Sequence, residues 1–128
     1  MLLRDAVVAK DTGVTRSNSM ALTRGFNSTV VARVKVDRKF ANALLGEAGT
    51  LFLNGDPETV KLVLRDLVNA TIGFEQLAQT VEKPAKSVHR MLSAAGNPTM
   101  TSLASIFAAL NHSMKVKLHA RAVRIDGP

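Results

Sequence analysis

The sequence of 128 residues contains no cysteine, tryptophan or tyrosine, and it has only five phenylalanines. The absence of cysteine excludes disulfide bonds and thiolate metal sites. The first residues lack the apolar run of a signal peptide, and no stretch approaches the roughly 18 apolar residues of a membrane-spanning helix. Apolar residues make up 46% of the chain, so we expect a mainly aliphatic core in a cytoplasmic protein without membrane contact.

Sequence patterns of enzymes are also lacking. The histidines, His89, His112 and His119, are far apart, and no carboxylate pattern accompanies them. Residues 46–49 contain two glycines but lie inside a helical pattern, which argues against a phosphate-binding loop there. No nucleophile has an identifiable base. We therefore expect no enzymatic activity, no catalytic residue, no metal site and no cofactor.

The positive charge is concentrated in one part of the chain. The net charge is +7, and residues 73–128 hold seven basic and three acidic residues, which is more than half of that excess. A basic excess favours a polyanionic partner such as nucleic acid. Because many soluble proteins are basic for other reasons, charge alone does not decide the partner.

The N-terminal segment is polar and aperiodic. Residues 11–19 have nothing to bury, and we expect residues 1–24 to form a flexible tail before a single domain at 25–128. Met20 opens a segment that looks like a natural protein start. The first nineteen residues are therefore either an extension or an ordinary flexible terminus.

Residues 30–36 fit two patterns. Val30, Ala32, Val34 and Val36 alternate with more polar positions, as in a strand. Val30, Val31 and Val34 also fit a helical stripe, with Ser28 as its cap. The β-branched residues favour the strand.

Two helices after this segment have clear boundaries. Asp37 is a candidate cap for the first, whose apolar face ends near residues 54–55. The second has the strongest start signal in the chain, with Asp56 as cap, Pro57 at the first helical position and Glu58 in the first turn.

Residues 74–110 have the pattern of a helix–turn–helix core. Two short apolar helices, 74–81 and 85–92, flank a break at 82–84, and Ala78 supplies the small residue that lets helices approach closely. Thr99 is a candidate cap for a further helix. Apolar side chains at fixed offsets would hold the pair together and leave basic ones outside, as in proteins that insert the second helix into DNA. Periodicity alone fits an ordinary helix pair equally well.

The periodicity changes at residues 114–121. Met114, Val116 and Leu118 alternate with basic or polar residues, which predicts a half-buried strand. A lone strand cannot satisfy its own backbone hydrogen bonds. We therefore predict that these three residues form the interface of a homodimer, with a second copy pairing along the strand.

These motifs resemble the Xre/lambda-repressor-like helix–turn–helix group, through residues 77–90, 96–99 and 103–110. More closely, the chain is similar to antitoxins of HigA-type addiction modules, in a resemblance that extends to residues 40–45, 54–59 and 87–92. It implies an all-α lambda-repressor-like helix–turn–helix bundle, to which the alternation at residues 114–121 adds a C-terminal dimerisation strand, and it favours a helix at 30–36. It also implies a repressor that binds an inverted-repeat operator in double-stranded DNA and neutralises a small toxin, one that cleaves RNA.

The sequence departs from the family pattern at the turn. Glu82 occupies the position usually filled by glycine, so it must adopt an unfavourable backbone conformation unless the turn differs. Lys83 is a poor helix cap, although Pro84 suits a first helical turn. These two departures leave the start of the second helix open.

Candidate binding residues follow from position in the motif. For DNA they are Ala85, Lys86, Ser87, His89 and Arg90 on the second helix, with Asn97 and Thr99 as phosphate donors. For the toxin we expect the surface of residues 25–70, including Arg33, Lys35 and Lys61. The alternatives are a regulator without a toxin, and a protein-interaction module that does not bind DNA.

Overall fold

Six α-helices make up the regular structure of the residues that the computed structural model describes, which are 19–126 for the backbone and 28–126 for the side chains. In chain order they are α1 (Ser19–Val36), α2 (Arg38–Leu53), α3 (Pro57–Ala70), α4 (Phe74–Val81), α5 (Ala85–Met91) and α6 (Met100–Met114). The expected all-α class is confirmed.

Helix α1 resolves the ambiguity of residues 30–36 in favour of a helix. Val30 and Val34 are buried four residues apart, which places both on the face that packs against α2 and α3. Burial of this stripe outweighs the strand preference of β-branched residues. The helix begins at Ser19, so residues 19–24 of the expected tail are helical, and residues 1–18 lie outside the described part.

The predicted starts of α2, α3 and α6 are confirmed by their caps. Asp37 Oδ1 accepts from the Phe40 amide at 3.0 Å, and this bond holds the pKa of the Asp37 carboxyl below its ordinary value. Asp56 accepts from Thr59 N at 3.2 Å, with Pro57 in the first turn. Thr99 Oγ1 accepts from Ser102 N at 3.0 Å.

The helices form two packed groups that share one core. Helices α1, α2 and α3 pack against one another, α4 packs on α5 and α6, and α3 also contacts α4. Leu64 and Leu67 of α3 and Leu77 of α4 are fully buried where these groups meet. The rings of Phe52 and Phe107, with centroids 6.2 Å apart, join the end of α2 to α6.

The predicted C-terminal strand at 114–121 is not present in the described residues. Met114 is the last residue of α6, Lys115 turns the chain with φ of 58°, and residues 116–126 have no regular structure. Val116 and Leu118 are half-buried against the chain's own core. A strand needs a second strand for its backbone hydrogen bonds, and no other described segment of the chain supplies one.

Candidate nucleic-acid interface

Helices α4 and α5 are joined by the three-residue turn 82–84. Glu82 has φ of 58° and ψ of 48°, so the expected unfavourable conformation at this glycine-type position is confirmed. Its left-handed backbone lets the Lys83 amide donate to Ala78 O at 3.0 Å, which closes the end of α4. The chain then passes through Lys83 and Pro84 into α5.

Helix α5 begins at Ala85, with the extended residue Pro84 in the cap position. Pro84 has no side-chain acceptor, but its carbonyl oxygen receives the amides of Ser87 and Val88 at 2.9 and 3.1 Å. Lys83 is therefore not the cap. The start that the sequence left open is set by proline, whose fixed φ suits a helix entrance.

The faces of α5 separate cleanly. Val88 is fully buried and Leu92, just after the helix, is too, whereas Lys86, His89 and Arg90 are exposed. Ala85 and Ser87 are half-buried. Because Lys86 and Arg90 are four residues apart, their side chains project from the same strip of the helix.

His89 lies at the border of the exposed face. Its ring stacks on Phe74, the first residue of α4, with centroids 3.9 Å apart and an angle of 18° between the planes. This contact couples the start of α4 to the middle of α5 and restricts the imidazole. The sequence patterns did not indicate it, because Phe74 and His89 lie on different helices at unrelated periodic positions.

Two cations of α3 hold the end of α5 and the loop after it. Lys61 Nζ donates to Gly96 O at 2.7 Å and to Ala94 O at 3.1 Å, and Arg65 Nη1 donates to Leu92 O at 3.3 Å. Positive groups at the carbonyl end of a helix stabilise it. The expectation that Lys61 is a surface residue is wrong: it is only 6% exposed, because its ammonium group satisfies these carbonyls.

The loop between α5 and α6 depends on Gly96. A Cβ there would overlap the carbonyl oxygen of Arg90 and lie 2.6 Å from that of Met91. Asn97 is exposed beside it and free to meet a ligand. Thr99 uses its hydroxyl within α6, accepting from the Ser102 amide and donating to Ser102 Oγ at 3.0 Å.

A second polar feature, on α3, escaped the sequence patterns. Asp66 is only 5% exposed, and burial raises the pKa of its carboxyl to about 7 against the opposing effect of Arg65. It lines a groove of about 500 Å³ between α1 and α3. Its burial depends on α1 lying over α3, and the two patterns that fit residues 30–36 did not predict that packing.

The chain was also compared with the patterns of metal sites, membrane spans and known proteins. Among residues 28–126, no group of three or more His, Asp or Glu side chains lies close enough to hold a metal ion. No helix in the described part is long and apolar enough to cross a membrane. No protein-family model, curated protein or solved structure matches this chain.

Proposed function

We propose that the chain is a DNA-binding transcriptional repressor that uses α5 as its recognition helix, and that it is the antitoxin of a toxin–antitoxin module. The observation that carries the DNA proposal is the α4–α5 pair itself. A tight turn through a left-handed Glu82 sets the two short helices, Val88 anchors α5 in the core, and Lys86 and Arg90 remain exposed together.

The chemistry of the exposed strip suits a DNA groove. An arginine side chain makes two parallel hydrogen bonds to guanine, and a lysine contacts either a base or a phosphate. Of the residues between these two cations in the sequence, Ser87 is half-buried and His89 is exposed. The anchoring of the helix end by Lys61 and Arg65 supports the proposal, since a rigid helix loses less freedom on binding.

We further propose that the repressor is a homodimer that binds an inverted repeat. In the described residues, no backbone hydrogen bond within the chain involves the amide groups of residues 117–126, so this segment can pair with a second copy. Val116 and Leu118 already pack on the core and would lie under such a pairing. Two copies would present two α5 helices to successive turns of DNA.

The antitoxin part of the proposal assigns the toxin to the surface of α1–α3, within residues 25–70. The proposed DNA contacts and the proposed toxin contacts therefore use different residues of the chain. Lys35 is exposed and available. Arg33 is exposed but already has partners within the chain: its guanidinium group lies 3.4 Å from the Asp37 carboxylate and 4.3 Å from the centre of the Phe40 ring. Lys61 is buried and therefore not available for a toxin contact.

A gel shift with the DNA upstream of the chain's own gene tests this function. A repressor of its own operon retards that fragment at much lower protein concentration than an unrelated fragment of equal length. Retardation without a toxin in either neighbouring gene identifies a stand-alone regulator. Capture of a protein partner without retardation of any DNA fragment identifies an interaction module instead.

A further inference from the structure

The segment after α6 carries cationic side chains that the rest of the described chain does not neutralise. We define residues 115–121 as the basic ribbon. Its charged residues are Lys115, Lys117 and Arg121, with His119 among them and no acidic residue before Asp126. All four side chains are exposed, and among residues 28–126 no carboxylate forms an ion pair with any of them. The basic ribbon therefore presents a positive charge that the fold itself does not use.

The start of the basic ribbon is held against the core. The Val116 amide donates to a carbonyl oxygen in the last turn of α6 at 2.9 Å, and Arg38 Nη2 of α2 donates to Met114 O at 3.1 Å. Leu118 packs on the core beside α2, where its Cδ1 would lie 3.4 Å from a Cβ added at Gly49. Because these contacts exist before any ligand binds, the ribbon loses less conformational freedom on binding than an unanchored segment would.

Burial alternates along the basic ribbon. Val116 and Leu118 are half-buried against the core, whereas residues 115, 117 and 119 are exposed. Side chains of an extended chain point alternately to opposite sides. The two apolar side chains therefore face the core and the cations face outward, in a row that an anionic partner can approach.

The composition of this row favours the phosphates of nucleic acid over other anionic partners. Residues 115–126 contain no aromatic residue, so the ribbon cannot stack on bases and acts through charge. Binding to an acidic membrane combines cations with apolar side chains that insert between lipids, and the large apolar side chains of the ribbon face the core. A row of fixed cations suits a polyanion instead, because each phosphate contact releases bound counterions.

We propose that the basic ribbon binds the phosphate backbone of DNA, as a second contact beside α5. This contact rests on the DNA-binding function proposed above and deepens it. Phosphate contacts carry no sequence information directly. The ribbon should therefore raise the affinity for every DNA sequence by the same factor, while preference among sequences comes from α5. Pairing of two copies along this segment would use backbone groups and leave the cationic side chains exposed.

Salt titrations of DNA binding by the full chain, followed by fluorescence anisotropy, test the ribbon. One duplex contains the DNA upstream of the chain's own gene, and the other is an unrelated duplex of equal length. The ribbon variant is Lys117→Gln with Arg121→Gln. The control, Lys35→Gln with Lys39→Gln, removes the same charge at exposed positions of α1 and α2. Lys115 is kept, because its φ of 58° means that a substitution there also affects the backbone.

The ribbon variant should bind both duplexes about tenfold more weakly or worse at low salt, with an unchanged ratio between the two affinities. Its log–log salt slope should be shallower by about 2 per subunit, since each lost phosphate contact removes about 0.9. The control should keep the affinity and the slope of the parent. Light scattering and the melting temperature are recorded for every protein.

Parental affinity of the folded ribbon variant for the unrelated duplex would overturn the ribbon and leave α5 standing as the DNA contact. An equal loss in the control, or a loss that accompanies a change in oligomeric state, would overturn it as well. Tighter binding of the parent to phosphatidylserine vesicles than to either duplex would assign the ribbon to a membrane instead. If the parent shows no preference for the upstream duplex while the ribbon variant still weakens binding to both, operator recognition is excluded and the ribbon remains.

Discussion

Lys61 and Gly96 are joined by a hydrogen bond of 2.7 Å that runs from the middle of α3 to the loop behind α5. The same ammonium group also lies 3.2 Å from the Glu58 carboxylate, so it is held on two sides. A buried cation of α3 therefore holds the loop that follows the proposed recognition helix. The position of α5 thus depends on a residue that does not belong to the helix–turn–helix motif.

Lys61→Met tests that dependence, because methionine keeps much of the side-chain volume and removes the donor. Two carbonyl groups lose their bonds, and we expect a cost of about 1–3 kcal/mol in the free energy of unfolding. Operator affinity should fall as well, although Lys61 touches no DNA in the proposed interface. Urea denaturation measures the first effect, and Lys39→Met, at an exposed position on α2, is the control that should change neither.

Gly96→Ala should destabilise the fold because the new Cβ would collide with the backbone carbonyls of Arg90 and Met91. Overpacking of this kind costs about 1–3 kcal/mol. Gly46→Ala is the matched control: no atom lies within 4 Å of its added Cβ, and it sits inside α2. Alanine there should stabilise by roughly 0.5–1 kcal/mol. The melting temperature should therefore fall for Gly96→Ala and rise for Gly46→Ala, and equal shifts of the two variants would contradict this prediction.

Local signals in the sequence were sufficient for most helix boundaries. Asp37, Asp56 and Thr99 are caps whose side chains bond a backbone amide three residues on, so their effect is contained within one turn. The family resemblance places Glu82 at a position usually filled by glycine, and its φ of 58° agrees with the unfavourable conformation expected there. Helix caps and turn residues depend on a few neighbouring residues and can therefore be predicted from the sequence.

Features that depend on distant segments cannot be derived from local sequence patterns. The helical state of residues 30–36 follows from the burial of Val30 and Val34 by other helices, which their β-branching opposes. A lysine is usually a surface residue, and Lys61 is buried only because the fold places the carbonyl groups of residues 94 and 96 next to its ammonium group. Asp66 is buried only because α1 crosses above it.

Asp66 should also make stability depend on pH. The folded-state pKa of about 7 lies above the ordinary value of 3.8, so the folded chain binds the extra proton between these limits. Stability should therefore fall as the pH rises from about 4 to 7, and remain lower above. Asp66→Asn should remove this slope and stabilise the protein at pH 8 by on the order of 2 kcal/mol. Melting across the pH range checks it, and an unchanged slope in the variant would contradict the assignment.

Glu82→Gly should stabilise the turn between α4 and α5. Glutamate with φ of 58° carries the steric penalty of the left-handed region, of about 1–2 kcal/mol, and glycine avoids it. The greater freedom of glycine in the unfolded chain offsets part of the gain. We expect a net rise of about 0.5–1 kcal/mol in the unfolding free energy, whereas Glu82→Val should lower it, since β-branched residues tolerate this conformation least.

In the proposed complex, α5 contacts the operator through Lys86 and Arg90. Titration of the operator with the parent should give a log–log salt slope of about −5, for roughly three phosphate contacts per subunit of a dimer. Arg90→Ala alone should relax base preference if it contacts guanine, and Lys86→Ala should weaken all sequences alike if it contacts phosphate.

The most direct measurement compares operator affinity for two double variants that remove the same charge. The double variant Lys86→Ala with Arg90→Ala removes both cations of the exposed strip of α5. The double variant Lys35→Ala with Lys39→Ala removes two exposed cations of α1 and α2. Both proteins should melt within a few degrees of the parent, because none of the four side chains is buried. We expect a loss of about 100-fold for the α5 variant, because two contacts of about 1.4 kcal/mol or more are removed, and little change for the control. Parental affinity in the folded α5 variant, or an equal loss in the control, would show that α5 is not the helix that contacts DNA.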